Sequence, residues 1–141
     1  MINRESIHAA LFALLSASAS FVTTSRRLQH WSDVPSEQQP ALFLTETGQT
    51  ATTVKGQPTV WTLQCDVYLY LQTTPDQSPG QMMNPYLDAI ETALLPGNAM
   101  ETNQTLGGLV SHCWIEGQIQ TDEGLLGSQA VAIIPIKILA S

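Results

Sequence analysis

Strict alternation of side-chain type between residues 59 and 73 constrains the fold more than any other feature of this sequence. A repeat of two residues places successive side chains on opposite faces of a β-strand, and this one lasts about twice the usual strand length. The sequence therefore predicts a long strand with one apolar face on a core. We expect the other face to contact a partner, because it carries Tyr68 and Tyr70 among polar residues. The core-facing set is Trp61, Leu63, Cys65, Val67, Leu69 and Leu71.

Weaker signals predict the elements on either side of this strand. An apolar stripe with helical period predicts a first helix over residues 3–18, and Asn84-Pro85 and Pro96-Gly97 are typical of the start and end of a second. The order α-β-β-β-α-β-β predicts one α+β domain, residues 1–141: a mostly antiparallel sheet with two helices packed on one face, a two-layer sandwich. The other face would stay exposed in a monomer, which favours oligomerisation. Further strands are predicted over residues 21–27, 41–47, 109–121 and 129–139.

The segment between the second and third strands has no apolar period. Residues 48–58 include two glycines, a proline and several threonines, which predicts a long, mobile hairpin loop. Long loops on compact domains are often functional. We expect Gly48, Lys55 and Gly56 to belong to a docking loop.

The charge balance is sparse and acidic. Lys and Arg number 5 against 12 Asp and Glu, a net charge of −7, and charged residues make up 12% of the chain, about half the usual share. Proteins that grip the nucleic-acid backbone normally present a basic patch, so this balance argues against that role. Few charges also indicate that much of the surface faces other protein.

The sequence shows little sign of a membrane segment, a signal peptide or a disulfide framework. The apolar run of residues 7–15 is too short to span a bilayer, and Glu5 stands where a signal peptide carries cations. Two cysteines, Cys65 and Cys113, are too few for a disulfide scaffold, which favours a reducing cytoplasm. We expect both thiols to be buried and reduced.

The chain has no phosphate-binding glycine loop, metalloprotease helix, paired-cysteine motif or nucleophile elbow. His112 and Cys113 are neighbours on a predicted strand and should point to opposite faces, so they cannot act together. We therefore expect no catalytic residue, no metal and no cofactor, and thus no enzyme.

Candidate interface residues are easier to find. Arg26 and Arg27 hold two of the five cations at a strand end; a solvated strand end is the ordinary reading, and pairing with Asp122 or Glu123 of a neighbouring subunit is the alternative. The exposed sheet face should add aromatic side chains. For His30 beside Trp31, an ordinary loop anchor is the favoured reading, and an interfacial stacking or cation–π pair is the alternative. The predicted aromatic set is His30, Trp31, Tyr68, Tyr70 and Trp114.

Several stretches in this order resemble one family, the tail-terminator, or tail-completion, proteins of long-tailed bacteriophages. The resemblance extends over most of the chain and rests on pattern and order, with no catalytic signature. The stretches are Ser25-Arg26-Arg27-Leu28 with His30-Trp31, Asn84-Pro85 opening a helix, Leu106-Gly107-Gly108-Leu109-Val110, and Cys113-Trp114-Ile115-Glu116-Gly117.

The resemblance implies a minor tail protein of the virion, assembled in the host cytoplasm. Such proteins form a ring, here expected to be hexameric, on the head-proximal end of the tail tube. The ring stops tube polymerisation and offers a surface to head-completion proteins of the neck. DNA passes through its lumen without being held, and the family has no catalytic residues to transfer to this chain.

Two alternatives remain open from the sequence. The chain could be another neck or tail component, a head–tail stopper or a tail-tube protein. Less favoured is a small-molecule-binding α+β domain, which would need His112, Cys113 and a carboxylate to line one pocket. Strand alternation predicts that these groups do not meet.

Overall fold

A computed structural model describes residues 1–97, 99–123 and 127–141. The described strands form one sheet in the order β1-β2-β3-β6-β4, with β5 also paired to β6. β1 is parallel to β2, and the other described pairs are antiparallel. The α+β class with a mostly antiparallel sheet is confirmed. The elements are α1 (Arg4–Ser16), β1 (Thr23–Ser25), β2 (Ala41–Thr52), β3 (Val60–Gln72), α2 (Pro79–Ala93), β4 (His112–Ile115), β5 (Gln120–Asp122) and β6 (Gln129–Ala140).

The first helix begins where the sequence predicts. The Asn3 side chain caps α1 by accepting a hydrogen bond of 3.0 Å from the Ser6 backbone N–H, which satisfies a donor that the helix leaves open. Ile7, Leu11 and Leu15 are fully buried on one stripe. That stripe packs α1 on the sheet.

The second helix begins earlier than predicted. Ser78 caps α2 in a reciprocal box with Gln81, and Pro79 stands at the first helical position. Pro85 therefore lies inside the helix, and the predicted start at Asn84-Pro85 is wrong. The box satisfies two backbone N–H groups at Ser78 and Gln81, so the helix begins there and not at Pro85. Leu95 lies beyond the helix end and is 57% exposed.

The central hairpin is longer than the sequence indicated. β2 continues to Thr52 and pairs with β3 as far as Val60, with a β-bulge between Glu46 and Gly48. Gly48 lies in this strand, opposite Gln64, so the predicted loop over residues 48–58 is reduced to residues 53–59. The long β3 offers backbone hydrogen-bond partners along its whole length, and β2 takes them up without an apolar period.

The strand predicted over residues 109–121 is two strands, so the element order gains one β. β4 and β5 both pair with β6 and are separated at Gly117, whose φ is 116°. A side chain at Gly117 would stand 3.2 Å from Cγ of Pro135 in β6. Since Pro135 also has no N–H to offer a neighbouring strand, the ladder is interrupted here.

The two faces of the sheet are covered differently. Both helices lie on one face, where buried side chains of α1, α2, β2, β3 and β6 form the main core. On the opposite face, a second cluster forms around Phe43, Tyr70 and Val131 under the segment of residues 28–39, here called the covering segment. Tyr70, predicted to be exposed, is only 3% exposed. The helices cover one face as predicted, but the other is not left fully open.

Candidate interaction surface

A groove of about 550 Å³ lies on the face opposite the helices. One wall is the start of the covering segment, the floor comes from β3 and β6, and the far wall is β5. We call it the aromatic groove. It brings together five of the nine residues that the sequence indicated for an interface, namely His30, Trp31, Tyr68, Tyr70 and Asp122. Its remaining lining residues are Leu28, Gln29, Gln120, Thr121, Val131 and Ile133.

The floor of the aromatic groove is held in place. The Tyr70 hydroxyl donates a hydrogen bond of 2.7 Å to the Gln29 carbonyl, and burial raises the pKa of Tyr70 to about 12. Its ring lies 5.4 Å from that of Phe43 and meets Tyr68 edge-on at 6.5 Å, distances typical of favourable aromatic pairs. The floor is therefore formed before any partner arrives.

The covering segment is anchored from beneath. Gln39 is 6% exposed, and its Nε2 donates to the Val34 carbonyl at 2.9 Å and to Oε1 of Gln129 at 3.0 Å. Val34 is fully buried in the second cluster. These contacts fix an irregular segment that would otherwise have only exposed backbone.

The rim carries His30 and Trp31. Their rings lie 5.2 Å apart at 37°, so the predicted pairing occurs, tilted rather than stacked. His30 Nδ1 lies 2.7 Å from the Ser32 hydroxyl and caps a short 3₁₀ turn over Trp31–Asp33. The turn presents the half-buried Trp31 against Tyr68 and the apolar floor.

The opposite wall contributes Asp122, directly across from Val131 in the ladder. It is the one carboxylate among the described lining residues, and they include no lysine or arginine. Glu123, the other acidic residue predicted to pair with an arginine of a neighbouring subunit, does not line the groove. Its carboxylate occupies the place that a Cβ at Gly80 would take, in the first turn of α2, where the helix dipole favours a negative charge.

The two arginines also separate. Arg26 donates to Glu5 at 2.6 and 3.1 Å and to Glu46 at 3.2 Å, which ties α1 to β2 within one chain. These hydrogen bonds raise the pKa of Arg26, and the bond from Arg26 lowers the pKa of Glu5. Arg27 is exposed, and its backbone N–H bonds to the Ser25 hydroxyl. Arg26 is thus engaged inside the subunit, whereas Arg27 faces outward.

Sequence reasoning missed a polar cluster beneath Arg26. His8 is 2% exposed; its Nε2 lies 3.2 Å from Oε1 of Glu46, and its Nδ1 lies 3.5 Å from Sγ of Cys65. Burial raises the pKa of Cys65 to about 12 and lowers that of His8. A thiol with that pKa stays protonated and cannot serve as a nucleophile. The apolar stripe of α1 hid this histidine, because residue spacing alone does not reveal a polar partner on β2.

Trp114 lies outside the aromatic groove, on the edge strand β4. It stacks on His112 at 4.8 Å, and its Nε1 donates to Glu116 at 3.3 Å. Glu116 also pairs with Lys137, and that hydrogen bond lowers the pKa of Glu116. Trp114 is therefore half-buried at the sheet edge, away from the aromatic groove.

A shallow depression of about 370 Å³ beside β4 overturns one expectation. His112, Cys113 and the carboxylate of Glu91 all contribute to its lining, although alternation predicted that such groups would not meet. The depression lies at the sheet edge, where both faces border it. Cys113 is itself 0% exposed, and burial raises its pKa to about 12, so the thiol is not activated.

The hairpin tip, residues 53–59, is the remaining candidate. Val54 is 55% exposed, and Lys55 and Gly56 lie beside it in a turn closed by the Gln57 N–H on the Val54 carbonyl at 2.9 Å. Gly56 has a φ of 82°, which favours glycine. The hydroxyls of Thr53 and Thr59 lie 3.1 Å apart across its base.

Within the described ranges, no helix is long and apolar enough to cross a bilayer. The same residues contain no group of three or more histidine, cysteine or acidic side chains arranged to hold a metal ion.

Comparisons with known proteins find distant likenesses among solved structures. No family model matches the chain, and no curated protein matches it. A solved structure described as the virion of a native gene transfer agent particle contains a chain that is 6% identical, at a TM-score of 0.49. The alignment covers 96% of this chain and 89% of that one.

Proposed function

We propose that this chain is a structural virion protein, a tail terminator whose copies close into a ring of six on the head-proximal end of a phage tail tube. The ring stops tube polymerisation and presents a surface to the head-completion proteins of the neck. The assignment to tail terminators rests on the sequence resemblance described above. The role needs no catalysis and no cofactor.

One observation supports assembly as the role of this surface: the aromatic groove. Its floor is apolar and preformed, one wall is aromatic, and the opposite wall carries a single carboxylate. Enrichment in tyrosine and tryptophan and depletion of lysine at the centre are typical of protein–protein interfaces. Because the helices cover the other face of the sheet, this face is the one available for neighbours.

The charge of the chain is compatible with DNA passage. Each subunit has a net charge of −7, and six subunits in a ring concentrate that charge around one axis. Like charge repels the phosphate backbone, so DNA slides through such a lumen rather than binding to its wall. The tail-tube protein and the neck proteins are then the partners above and below the ring.

The proposal is tested with particles assembled without this protein. We expect tails of uncontrolled length, or tails that fail to join heads, and we expect purified protein to restore normal joining. Tails of normal length joined to heads in its absence would refute the proposal. Long tubes formed by the purified chain alone would instead assign it as a tail-tube protein.

A further inference from the structure

The hairpin tip and the aromatic groove lie at opposite ends of the same sheet. The tip follows Thr52 and precedes Val60, whereas the groove floor is Tyr68 and Tyr70 on the same strand, roughly 30 Å away at about 3.3 Å per residue. Half of the tip, fully extended, reaches roughly 12 Å. The tip therefore cannot enter the groove of its own chain.

The tip presents an apolar and a positive side chain together. Val54 is one of the few large apolar side chains more than half exposed among the described residues. Next to it, Lys55 forms no salt bridge with any described residue, whereas Arg26 and Lys137 do. The closed turn and the paired threonines hold the backbone of the tip in place, which lowers the ordering cost of docking.

The aromatic groove offers the complement of both features. Its apolar floor and the wall that carries Trp31 suit a branched aliphatic side chain, and the opposite wall carries the carboxylate of Asp122. A volume of about 550 Å³ exceeds that of one side chain and accommodates a short turn. The described lining residues include no lysine or arginine to repel a lysine.

We propose that the hairpin tip of one copy docks in the aromatic groove of the next copy, with Val54 against Trp31 and Tyr68 and Lys55 at Asp122. The two surfaces differ, so the contact is head-to-tail and generates a ring when the rotation between copies closes. The inference rests on the proposed self-assembly and names the contact that produces it.

Charge reversal tests the pairing. Lys55→Glu and Asp122→Lys should each weaken self-association about tenfold or more, measured by sedimentation over a range of protein concentrations. The double variant Lys55→Glu/Asp122→Lys should recover most of the loss, because the pair is restored with its charges exchanged. Asp88→Lys, an equal charge change on the outer side of α2, is the matched control and should leave association unchanged.

A disulfide trap tests the geometry independently. One preparation carries Val54→Cys, and the other carries Gln120→Cys, at a position that lines the groove and pairs with Ile133 of its floor. Mixed under mild oxidation, they should give a disulfide-linked pair of one chain of each kind. The native Cys65 and Cys113 are buried and should not compete.

The outcomes separate this inference from the proposed function. If the wild-type chain assembles, but the double variant is not restored and no mixed disulfide forms, the docking contact is wrong and the ring proposal stands. A chain that stays monomeric at all concentrations, with no mixed disulfide, also overturns the contact. If both tests succeed while particles lacking the protein have normal tails, the contact stands and the virion role fails.

Discussion

The two faces of the central sheet show two ways of covering a strand. On one face, regular helices place aliphatic side chains over β3 and β6 and leave Leu63, Val67 and Ile136 at most 1% exposed. On the other, the irregular covering segment buries Tyr70 but leaves Tyr68 and Ile133 half-exposed at the aromatic groove. The helical face is complete in one subunit, whereas the groove face retains apolar surface for a neighbour.

The largest expected difference between the faces is in stability. Ile136 and Lys137 are adjacent in β6 and point to opposite faces. Ile136→Ala should lower the free energy of unfolding by about 2–5 kcal/mol, because it leaves a cavity under the helices. Lys137→Ala should lower it by less than about 1 kcal/mol, since its ion pair with Glu116 is partly solvated. Urea unfolding of both variants measures the difference, and equal losses would contradict the contrast.

Within the groove face, the two tyrosines should behave differently. Tyr70→Phe removes the hydrogen bond to the Gln29 carbonyl and should cost about 0.5–1.5 kcal/mol of unfolding free energy. Tyr68→Phe is the matched control, because the Tyr68 hydroxyl bonds to no other described residue. Its cost should be close to zero. If the two substitutions cost the same in denaturant titrations, the covering segment is not held as described.

The helical face contains a pH-sensitive point at His8. Burial lowers the pKa of His8 below its ordinary value of 6.5, so the folded chain favours the neutral ring while the unfolded chain takes up the proton. This contribution to stability is complete above pH 6.5 and is lost as the pH falls below it. Four neighbouring charges also act on the ring. Glu46 and Glu5 oppose the effect of burial, because they favour the protonated ring, whereas Arg26 and Arg4 add to it.

His8→Gln should therefore flatten the decline in stability as the pH falls below 6.5, whatever its effect at neutral pH. Thermal unfolding across that range measures the slope. His30→Gln, at an exposed site on the other face, is the control and should leave the slope unchanged. A slope that survives His8→Gln would show that the acid response arises elsewhere.

The smallest expected signal is at the two thiols. Since burial raises the pKa of each to about 12, both thiols stay protonated at pH 8. In guanidinium, where the protein is unfolded, both Cys65 and Cys113 should react with a thiol reagent. Over the same time, neither should react in the native protein. Rapid native labelling of Cys113 would make the depression beside β4 chemically active and would revive the small-molecule alternative.

Regular patterns made much of this fold predictable. The alternation over residues 59–73 predicted β3 to within one residue at each end, and the helical stripe with Asn3 predicted α1. Both signals depend on side-chain period, which a sequence displays directly. The same alternation placed Tyr68 on the face opposite the core, which is why part of the groove floor could be predicted.

What the sequence did not reveal depends on contacts between distant segments. Tyr70 is buried because residues 28–39 fold over it, and no period indicates where an irregular segment packs. The break at Gly117 depends on Pro135 across the ladder, and the position of His8 depends on Glu46 in β2. Such pairings become visible only when the strands are in register.

The most direct test of the tail-terminator role is electron microscopy of purified tail tubes incubated with this chain. We expect a single closed ring of six copies at one end of each tube, and no further growth at that end when tube protein is added. Tube ends that remain bare and continue to grow would contradict it.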